Sequence, residues 1–301
     1  MNLNKFYETC PVYETPSFFL RLVRPDDAEA LMACYGDPEV IPRLNADNCW
    51  GDFYCATLQD MENCIRAWLE EYRQRCYIRF AIVRRDTAVP IGTVEVCGEL
   101  LRLDLAAAYD KAAVRDELLR LIVLRWSLDV SCGSWKLKAA NTPDRIPQLS
   151  AFGFVPSETF RPGLGYYERP APQPFSMERD VAYCGLACWV CSQNETCPGC
   201  RQAGCRLKGW CKSWQCCTAK GLDGCWECPS FPCDYPMLHK LRVRTFSEFI
   251  AAHGWEALAQ AIRKGAEHGL LYHYTGQLVG DYDLFQDADS LRRYLLNLLN
   301  T

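Results

Sequence analysis

Residues 77–130 read YIRFAIVRRDTAVPIGTVEVCGELLRLDLAAAYDKAAVRDELLRLIVLRWSLDV. Three segments of this stretch, Tyr77–Val83, Ile91–Val96 and Leu100–Tyr109, are rich in apolar residues and separated by turn residues, which predicts a meander of three strands. Residues 111–130 follow, and their apolar positions recur at helical spacing, which predicts one long helix. The stretch therefore predicts an α+β fold with a mixed, mainly antiparallel sheet flanked by helices.

The segments before and after this stretch extend the predicted sheet. Phe18–Leu22 is a short apolar strand, and Pro25 and Asp26 mark the start of the helix that follows it. Met61–Arg73 is a second amphipathic helix. Beyond the long helix, the predicted elements are a strand over 134–141, a short helix over 144–152 and a hairpin-like strand pair over 152–160 and 165–170.

Three sequence motifs carry a resemblance to a known family. They are RLVRPDDAEAL at 21–31 with GDPEV at 36–40, IGTVEV at 91–96, and AAN followed by LSAFGF within 139–154. In this order they resemble the GNAT superfamily of N-acetyltransferases, over about residues 17–170. The resemblance implies an acetyltransferase-like fold, acetyl-CoA as cofactor, and a small-molecule or peptide amine as acceptor. It is closest to members that acetylate protein N-termini or ribosomal proteins, and to their small-molecule relatives.

The family binds the pyrophosphate of acetyl-CoA in a glycine-containing loop that opens a long helix, where backbone N–H groups and the helix dipole favour phosphate. The matching segment here is residues 108–115, in which Lys111 and Ala113 replace the two glycines and Asp110 adds a negative charge. Lys111 and Arg115 could offset phosphate charge from their side chains. The contacts implied for acetyl-CoA are Leu103, Leu105, Lys111, Ala112, Ala113, Arg115 and Asn141.

Two carboxylates on neighbouring predicted strands are candidate catalytic bases. Glu95 and Asp104 could each take a proton from an acceptor amine, directly or through water. The alternative interpretation is that both are solvated strand residues. Leu149 stands where the family often places a tyrosine that protonates the departing thiolate. The sequence thus leaves two hypotheses open: an N-acetyltransferase acting on a primary amine, and a non-catalytic interaction protein with a degenerate acetyltransferase fold.

A proline-rich segment separates two predicted domains. Residues 169–180 read RPAPQPFSMERD and contain three prolines within five positions, which favours an extended linker. We therefore predict an acetyltransferase-like domain over 1–172. A Cys-rich, zinc-binding domain with C-terminal helices is predicted over 173–301.

Twelve of the twenty cysteines lie between Cys184 and Cys233. Several are spaced as C-x-x-C, a turn from which two thiolates can meet one tetrahedral metal. Three such pairs and further cysteines exceed one four-ligand site, so we predict about two zinc ions. The predicted ligands are Cys184, Cys188, Cys191, Cys197, Cys200, Cys211, Cys216, Cys225, Cys228 and Cys233. Cys205 and one of the adjacent pair Cys216 and Cys217 are left over, and His239 is an alternative ligand in a Cys3His site.

The charges around these cysteines agree with metal binding. Residues 196–222 contain no acidic residue but five cations, which would offset the negative charge of two zinc–thiolate centres. Alternatives are an iron–sulfur cluster and a nucleic-acid surface with Trp210 and Trp214 as stacking platforms. The motifs CGLAC, CPGC and CPSFPC resemble an uncharacterised bacterial Cys-rich domain family whose cysteines are thought to bind zinc. Without metal, we expect this segment not to fold.

Composition narrows the location and the partners. The N-terminal sequence MNLNKFYETC lacks the apolar core of a signal peptide, and no run of about 18 uncharged apolar residues occurs. We therefore expect a cytoplasmic protein that does not enter membranes. There, clustered cysteines bind metal in preference to forming disulfides. The net charge of −4 makes nucleic acid an improbable partner, which leaves an amine acceptor or a protein partner.

The C-terminal residues return to helical patterning. Residues 246–269 predict two helices divided at Gly254, the first capped by Thr245 or Ser247. The last fourteen residues before the C-terminus predict a closing helix with Asp287 or Asp289 near its start. Between these helices lie three polar residues that are close in sequence. They form either a metal or substrate site or a loop with a capping aspartate. These residues are His273, Asp281 and Asp283.

Overall fold

The computed structural model describes residues 3–44, 53–130, 132, 134–172, 180–191, 197–202 and 209–301. The chain divides into two compact units, an N-terminal unit of residues 1–170 and a C-terminal unit of residues 171–301. Each unit is described by itself. No helix in the described ranges is both long and apolar enough to span a membrane.

The described part of the N-terminal unit is built on one eight-stranded sheet. Its strands are β1 Tyr13–Glu14, β2 Phe18–Leu22, β3 Ile78–Arg84, β4 Pro90–Cys97, β5 Leu100–Leu105, β6 Lys136–Lys138, β7 Val155–Pro156 and β8 Tyr166–Glu168. They lie in the order β1-β2-β3-β4-β5-β6-β8-β7. Neighbours are antiparallel except β5 and β6, which are parallel. The predicted mixed, mainly antiparallel sheet is confirmed.

Helices flank this sheet. They are α1 Asn4–Glu8, α2 Ala28–Tyr35, α3 Ile41–Leu44, α4 Leu58–Arg73, α5 Ala112–Leu121, α6 Ser127–Val130 and α7 Ile146–Ala151. A π-helical turn joins α5 to α6, so the helix predicted over 111–130 is continuous from Ala112 to Val130. Sequence patterning did not reveal β1, α1 or α3, each of which is five residues long or shorter.

Helix α4 shows how local sequence produces a packed element. Thr57 precedes it, and the Thr57 hydroxyl accepts a hydrogen bond from the Asp60 backbone while the Asp60 carboxylate caps Thr57 in return. Met61, Ile65 and Trp68 recur at helical spacing and are buried. This face packs in one apolar cluster with residues of α2, and it covers one side of the central strands.

The separation of β5 from β6 is the feature of the sheet that matters most for a site. Their pairing is confined to Leu100 with Lys136 and Leu101 with Leu137. The strand predicted to reach Tyr109 ends at Leu105 and continues as a 3-10 turn over Ala107–Tyr109. That prediction was wrong because three consecutive alanines favour helical turns over strands. Strand β5 therefore leads through a short loop to the N-terminus of α5.

The described part of the C-terminal unit is helical. Its helices are α8 Lys212–Lys220, α9 Leu241–His253, α10 Trp255–Glu267 and α11 Ala288–Leu299. The predicted division at Gly254 is confirmed, as is capping of the last helix by Asp287, whose Oδ1 accepts from the Ser290 backbone at 2.7 Å. Thr245 and Ser247 are not caps, because α9 begins at Leu241 and buries both of them.

Candidate active site and cysteine cluster

The candidate bases lie in a buried polar network at the centre of the sheet. On β3, β4 and β5 the register places Glu95 opposite both Arg79 and Arg102. Two positions further along β4 and β5, Thr93 lies opposite Asp104. Since residues two apart on a strand share a face, the two candidate bases and the two arginines line one side of the sheet.

Asp104 is enclosed by donors. Its carboxylate accepts from the Tyr35 hydroxyl at 2.8 Å, from Arg79 Nη1 at 3.2 Å and from Arg102 Nε at 2.9 Å. Its exposed fraction is 2%. An acid so enclosed holds two arginines in place and has little access to a substrate.

Aromatic rings cover the two arginines. The Arg79 guanidinium lies 4.2 Å from the Trp68 ring centroid, and that of Arg102 lies 4.6 Å from the Phe53 ring centroid. Burial disfavours the Arg79 charge, but Glu95, Tyr35 and Asp104 more than compensate, so its pKa is raised. Burial and the adjacent Asp104 also raise the pKa of Tyr35 well above its ordinary value. The network therefore keeps Arg79 charged and Tyr35 protonated.

Glu95 differs from Asp104 in being accessible. Its Oε2 forms an ion pair with Arg79, and its side chain is 20% exposed. Within the described ranges, no hydrogen bond reaches its Oε1. Of the two predicted bases, Glu95 is thus the one that a substrate amine could reach.

Arg145 fills the gap that opens between β5 and β6. Its Nη1 donates to the Leu103 carbonyl at 2.7 Å, and its Nη2 donates to Asp110 Oδ2 at 2.8 Å. Two small cavities, of about 10 and 20 Å³, adjoin it, and Leu103 and Leu137 line both of them. Leu103 is one of the predicted contacts of acetyl-CoA. In this structure its carbonyl is hydrogen-bonded to the Arg145 side chain instead.

Asp110 is the centre of an arginine cluster at the start of α5. Arg43 Nη2, Arg115 Nη1 and Arg145 Nη2 donate to its carboxylate at 2.7, 2.6 and 2.8 Å. Burial alone would raise the pKa of Asp110, but Arg145, Arg115 and Arg43 outweigh it and lower the pKa to about 2. Three cations thus surround the place where the resemblance puts the pyrophosphate.

The predicted cofactor loop has ordinary backbone geometry. Lys111 precedes α5 with φ −120° and ψ 155°, an extended conformation that needs no glycine. Ala112 and Ala113 are the first two residues of the helix. The Asn141 side chain donates to the Pro42 carbonyl at 2.9 Å. Leu149 is buried beside Leu103, so no hydroxyl stands at that position.

Sequence patterning missed Arg43, Arg145, Tyr35, Arg79 and Arg102 as members of these networks. A charged residue within a predicted strand, as at Arg79 and Arg102, was the available signal. Arg43 and Arg145 carried no such signal, because they meet Asp110 from positions 67 and 35 residues away.

No disulfide joins the cysteines of the C-terminal unit within the described ranges. Of the ten predicted ligands, Cys184 and Cys225 are buried and Cys216 and Cys233 are exposed, with the others intermediate. Within those ranges, no set of three or more His, Cys, Asp or Glu side chains is already arranged to hold a metal ion. Cys205 lies outside the described residues, as do Arg206 and Lys208.

Some of these sulfurs nevertheless lie close together or receive donors. Cys217 and Cys225 have their Sγ atoms 3.9 Å apart and pack with Cys184 in one apolar cluster. The Cys200 Sγ accepts from the Tyr183 backbone at 3.3 Å. Lys220 Nζ lies 3.6 Å from Cys228 Sγ.

The polar group His273, Asp281 and Asp283 is part of a loop fold. Asp281 is buried and accepts from the Leu271 backbone at 2.7 Å and from the Tyr274 hydroxyl at 2.9 Å. Asp283 pairs with Arg242 Nη1 at 3.0 Å and caps Gly280. These contacts are those of the capped loop.

His273 should make the stability of the C-terminal unit depend on pH. Burial and neighbouring Arg242 lower its pKa to about 4, against an ordinary 6.5. Between these pH values the unfolded chain binds more protons, so the stabilisation is complete above pH 6.5 and is lost as pH falls towards 4. We expect His273→Gln to reduce the acid-induced loss by about 1 kcal/mol, allowing for partial exposure. Urea unfolding at pH 7.5 and 5 measures this; an identical pH dependence in variant and wild type would contradict it.

Comparison with known proteins gives partial matches. No protein-family model matches the chain. Over 84 residues it is 31% identical to the uncharacterised N-acetyltransferase YoaA of Bacillus subtilis strain 168, a match that spans 28% of this chain and 44% of that protein. Less than half the length of that relative is therefore matched. This similarity supports the acetyltransferase-like fold.

Among solved structures, ribosomal-protein-S5-alanine acetyltransferase from Vibrio fischeri is 13% identical with a TM-score of 0.40, and the match covers 55% of this chain and all of that one. A GNAT-family acetyltransferase from Bacillus anthracis is 11% identical with a TM-score of 0.39, covering 52% and 97% of the two chains.

Proposed function

We propose that the N-terminal unit is an acetyl-CoA-dependent N-acetyltransferase of the GNAT type that acts on a primary amine. One observation carries the proposal: β5 and β6 part after Leu101, and β5 then leads through a short loop to the N-terminus of α5. Such an arrangement offers the β5 backbone to an extended ligand and a helix N-terminus with nearby cations to its phosphates. The partial similarity to an N-acetyltransferase supports it.

In the proposed reaction the acceptor nitrogen attacks the thioester carbonyl. A C–N bond forms, the C–S bond breaks, and the acetyl group moves to the amine. Glu95 takes the proton that the amine loses. The coenzyme leaves as a thiolate and takes its proton from water, since the side chain at Leu149 carries none. Asp104 acts through Arg79 by holding it against Glu95 and is a positioning residue.

The arginine cluster would help to bind the cofactor phosphates, which the family binds through a glycine-containing loop that this chain lacks. Arg43, Arg115 and Arg145 already surround a carboxylate at the start of α5. Guanidinium groups bind phosphate oxygens with the same geometry as carboxylate oxygens. On this proposal a cofactor phosphate competes with Asp110 for these donors, and Arg145 leaves the Leu103 carbonyl when the cofactor binds.

For the C-terminal unit we propose about two zinc ions in a module that recognises a substrate or a protein partner. The cysteine spacing and the excess of cations in 196–222 support it. Several of the sulfurs lie within a single small region, and no disulfide joins the cysteines of the described ranges. Zinc would crosslink segments that otherwise contribute few large apolar side chains.

The second candidate is a non-catalytic interaction protein. The contact of Arg145 with the Leu103 carbonyl favours it, because that contact occupies the β5 edge with protein atoms. Incubation of the full chain with acetyl-CoA and a panel of small primary amines and peptides with free N-termini separates the two. We expect thiol release above the acceptor-free control with at least one class of amine. No release with any acceptor, combined with no binding of acetyl-CoA, would favour the interaction protein.

A further inference from the structure

A cavity of about 380 Å³ lies inside the C-terminal unit beside α8. Its lining comes from α8 and from the segment 225–238. Five cysteines contribute to the lining: Cys216, Cys217, Cys225, Cys228 and Cys233. Two sequence segments thus bring five thiols to a single space, which spacing along the chain did not predict.

One sulfur–sulfur distance in this cavity suits a tetrahedral metal. The Sγ atoms of Cys217 and Cys225 are 3.9 Å apart, and both residues are buried. Sulfurs bound to one zinc ion at about 2.3 Å lie roughly 3.8 Å from each other in a tetrahedron. Cys228 follows Cys225 at C-x-x-C spacing on a single turn, and Phe231 packs with the cysteine cluster and leads the chain back to Cys233.

A buried hydroxyl in the cavity lacks an oxygen or nitrogen partner. Ser213 is 3% exposed, lines the cavity, and its Oγ has no such hydrogen bond. It lies beside the Cys225 thiol. A buried hydroxyl without an oxygen or nitrogen acceptor is unfavourable, and the Cys225 sulfur is the acceptor beside it. Together with Lys220 near Cys228, this gives the cavity donors for metal-bound sulfur.

We propose that Cys217, Cys225, Cys228 and Cys233 hold one zinc ion and that Cys216 does not. This rests on the proposal that the module binds zinc, and it names the ligands of one site. Adjacent residues of a helix point about 100° apart; here Cys217 is buried against Cys225 while Cys216 is exposed. The ligand set predicted from spacing contains Cys216. This assignment replaces it with Cys217.

Substitution of the adjacent cysteines tests the assignment. Wild type and the variants Cys217→Ser and Cys216→Ser are purified with zinc, and metal per chain is measured by elemental analysis. We expect about two ions in the wild type, about one in Cys217→Ser and about two in Cys216→Ser. Loss of an ion in Cys216→Ser with retention in Cys217→Ser would overturn the assignment. A wild type without zinc would overturn the zinc proposal itself, so the two failures are distinguishable.

A second measurement needs no variant and covers the case in which Cys217→Ser does not fold. The wild-type chain is alkylated with iodoacetamide, with and without a chelator, and modified residues are located by mass spectrometry. Cys216 and Cys233 are both exposed, so exposure alone predicts equal modification. We expect Cys233 to be protected at least tenfold relative to Cys216 until the chelator removes the metal. Equal modification of the two before chelation would contradict the site.

Discussion

Replacement of Asp104 by alanine is expected to lower the free energy of unfolding of the N-terminal unit by about 3–5 kcal/mol, the cost of leaving buried charges unpaired. Asp104 accepts from Arg79, Arg102 and Tyr35. Its removal leaves both guanidinium groups beneath aromatic rings without that carboxylate. Urea denaturation of the full chain, followed by far-UV circular dichroism, measures the change.

Glu95→Gln is the matched control for this loss of stability. Glu95 also pairs with Arg79, but it is 20% exposed, and glutamine retains a hydrogen-bond acceptor. We therefore expect a loss of about 1–2 kcal/mol, smaller than that of Asp104→Ala, because Arg79 keeps its contact with Asp104. Equal losses in Asp104→Ala and Glu95→Gln would show that the buried network is not organised around Asp104.

The same Glu95→Gln variant is expected to have the largest effect on catalysis. If Glu95 takes the proton from the amine, removal of the base should lower kcat for acetyl transfer by about 10²–10⁴-fold. Because glutamine leaves the shape of the site nearly unchanged, binding of acetyl-CoA should remain within about threefold of wild type. Steady-state rates of thiol release and a titration with acetyl-CoA measure the two quantities.

Glu99→Gln provides the control for charge alone. Glu99 precedes β5, pairs with Lys136 and has a side chain that is 47% exposed. Its replacement removes one negative charge from the same region without touching the network, so kcat should be unchanged. Wild-type kcat in Glu95→Gln, or an equal fall in both variants, would remove Glu95 from the proposed role.

Local sequence signals predicted the elements whose stability is local. Helix α4 follows from its apolar spacing and from the Thr57–Asp60 cap, and the division of α9 from α10 follows from Gly254. Helix α8 was missed inside the cysteine stretch, although Lys220 and Gly221 form an ordinary helix end with Gly221 left-handed at φ 66°. Cysteine spacing predicts which residues could bind a metal, but it does not predict the secondary structure of the segments that contain them.

The candidate site was only partly predictable. Glu95 and Asp104 stood out as acids in apolar strands, but the sequence could not show that one is enclosed and the other accessible. That difference arises from Arg79, Arg102 and Tyr35, which reach Asp104 from other elements. Arg145 and Arg43 likewise act across long sequence separations, where neither periodicity nor a motif reports a contact.

Binding of acetyl-CoA to the full chain tests the central claim most directly. Isothermal titration calorimetry should show one acetyl-CoA bound per chain with a Kd below about 1 mM, the upper range of ordinary substrate affinities. Acetyl-CoA should bind more tightly than pantetheine, which carries no phosphate, because the cations around Asp110 would attract the phosphates of acetyl-CoA. No heat of binding with acetyl-CoA up to several millimolar, from a chain shown to be folded, would contradict the account.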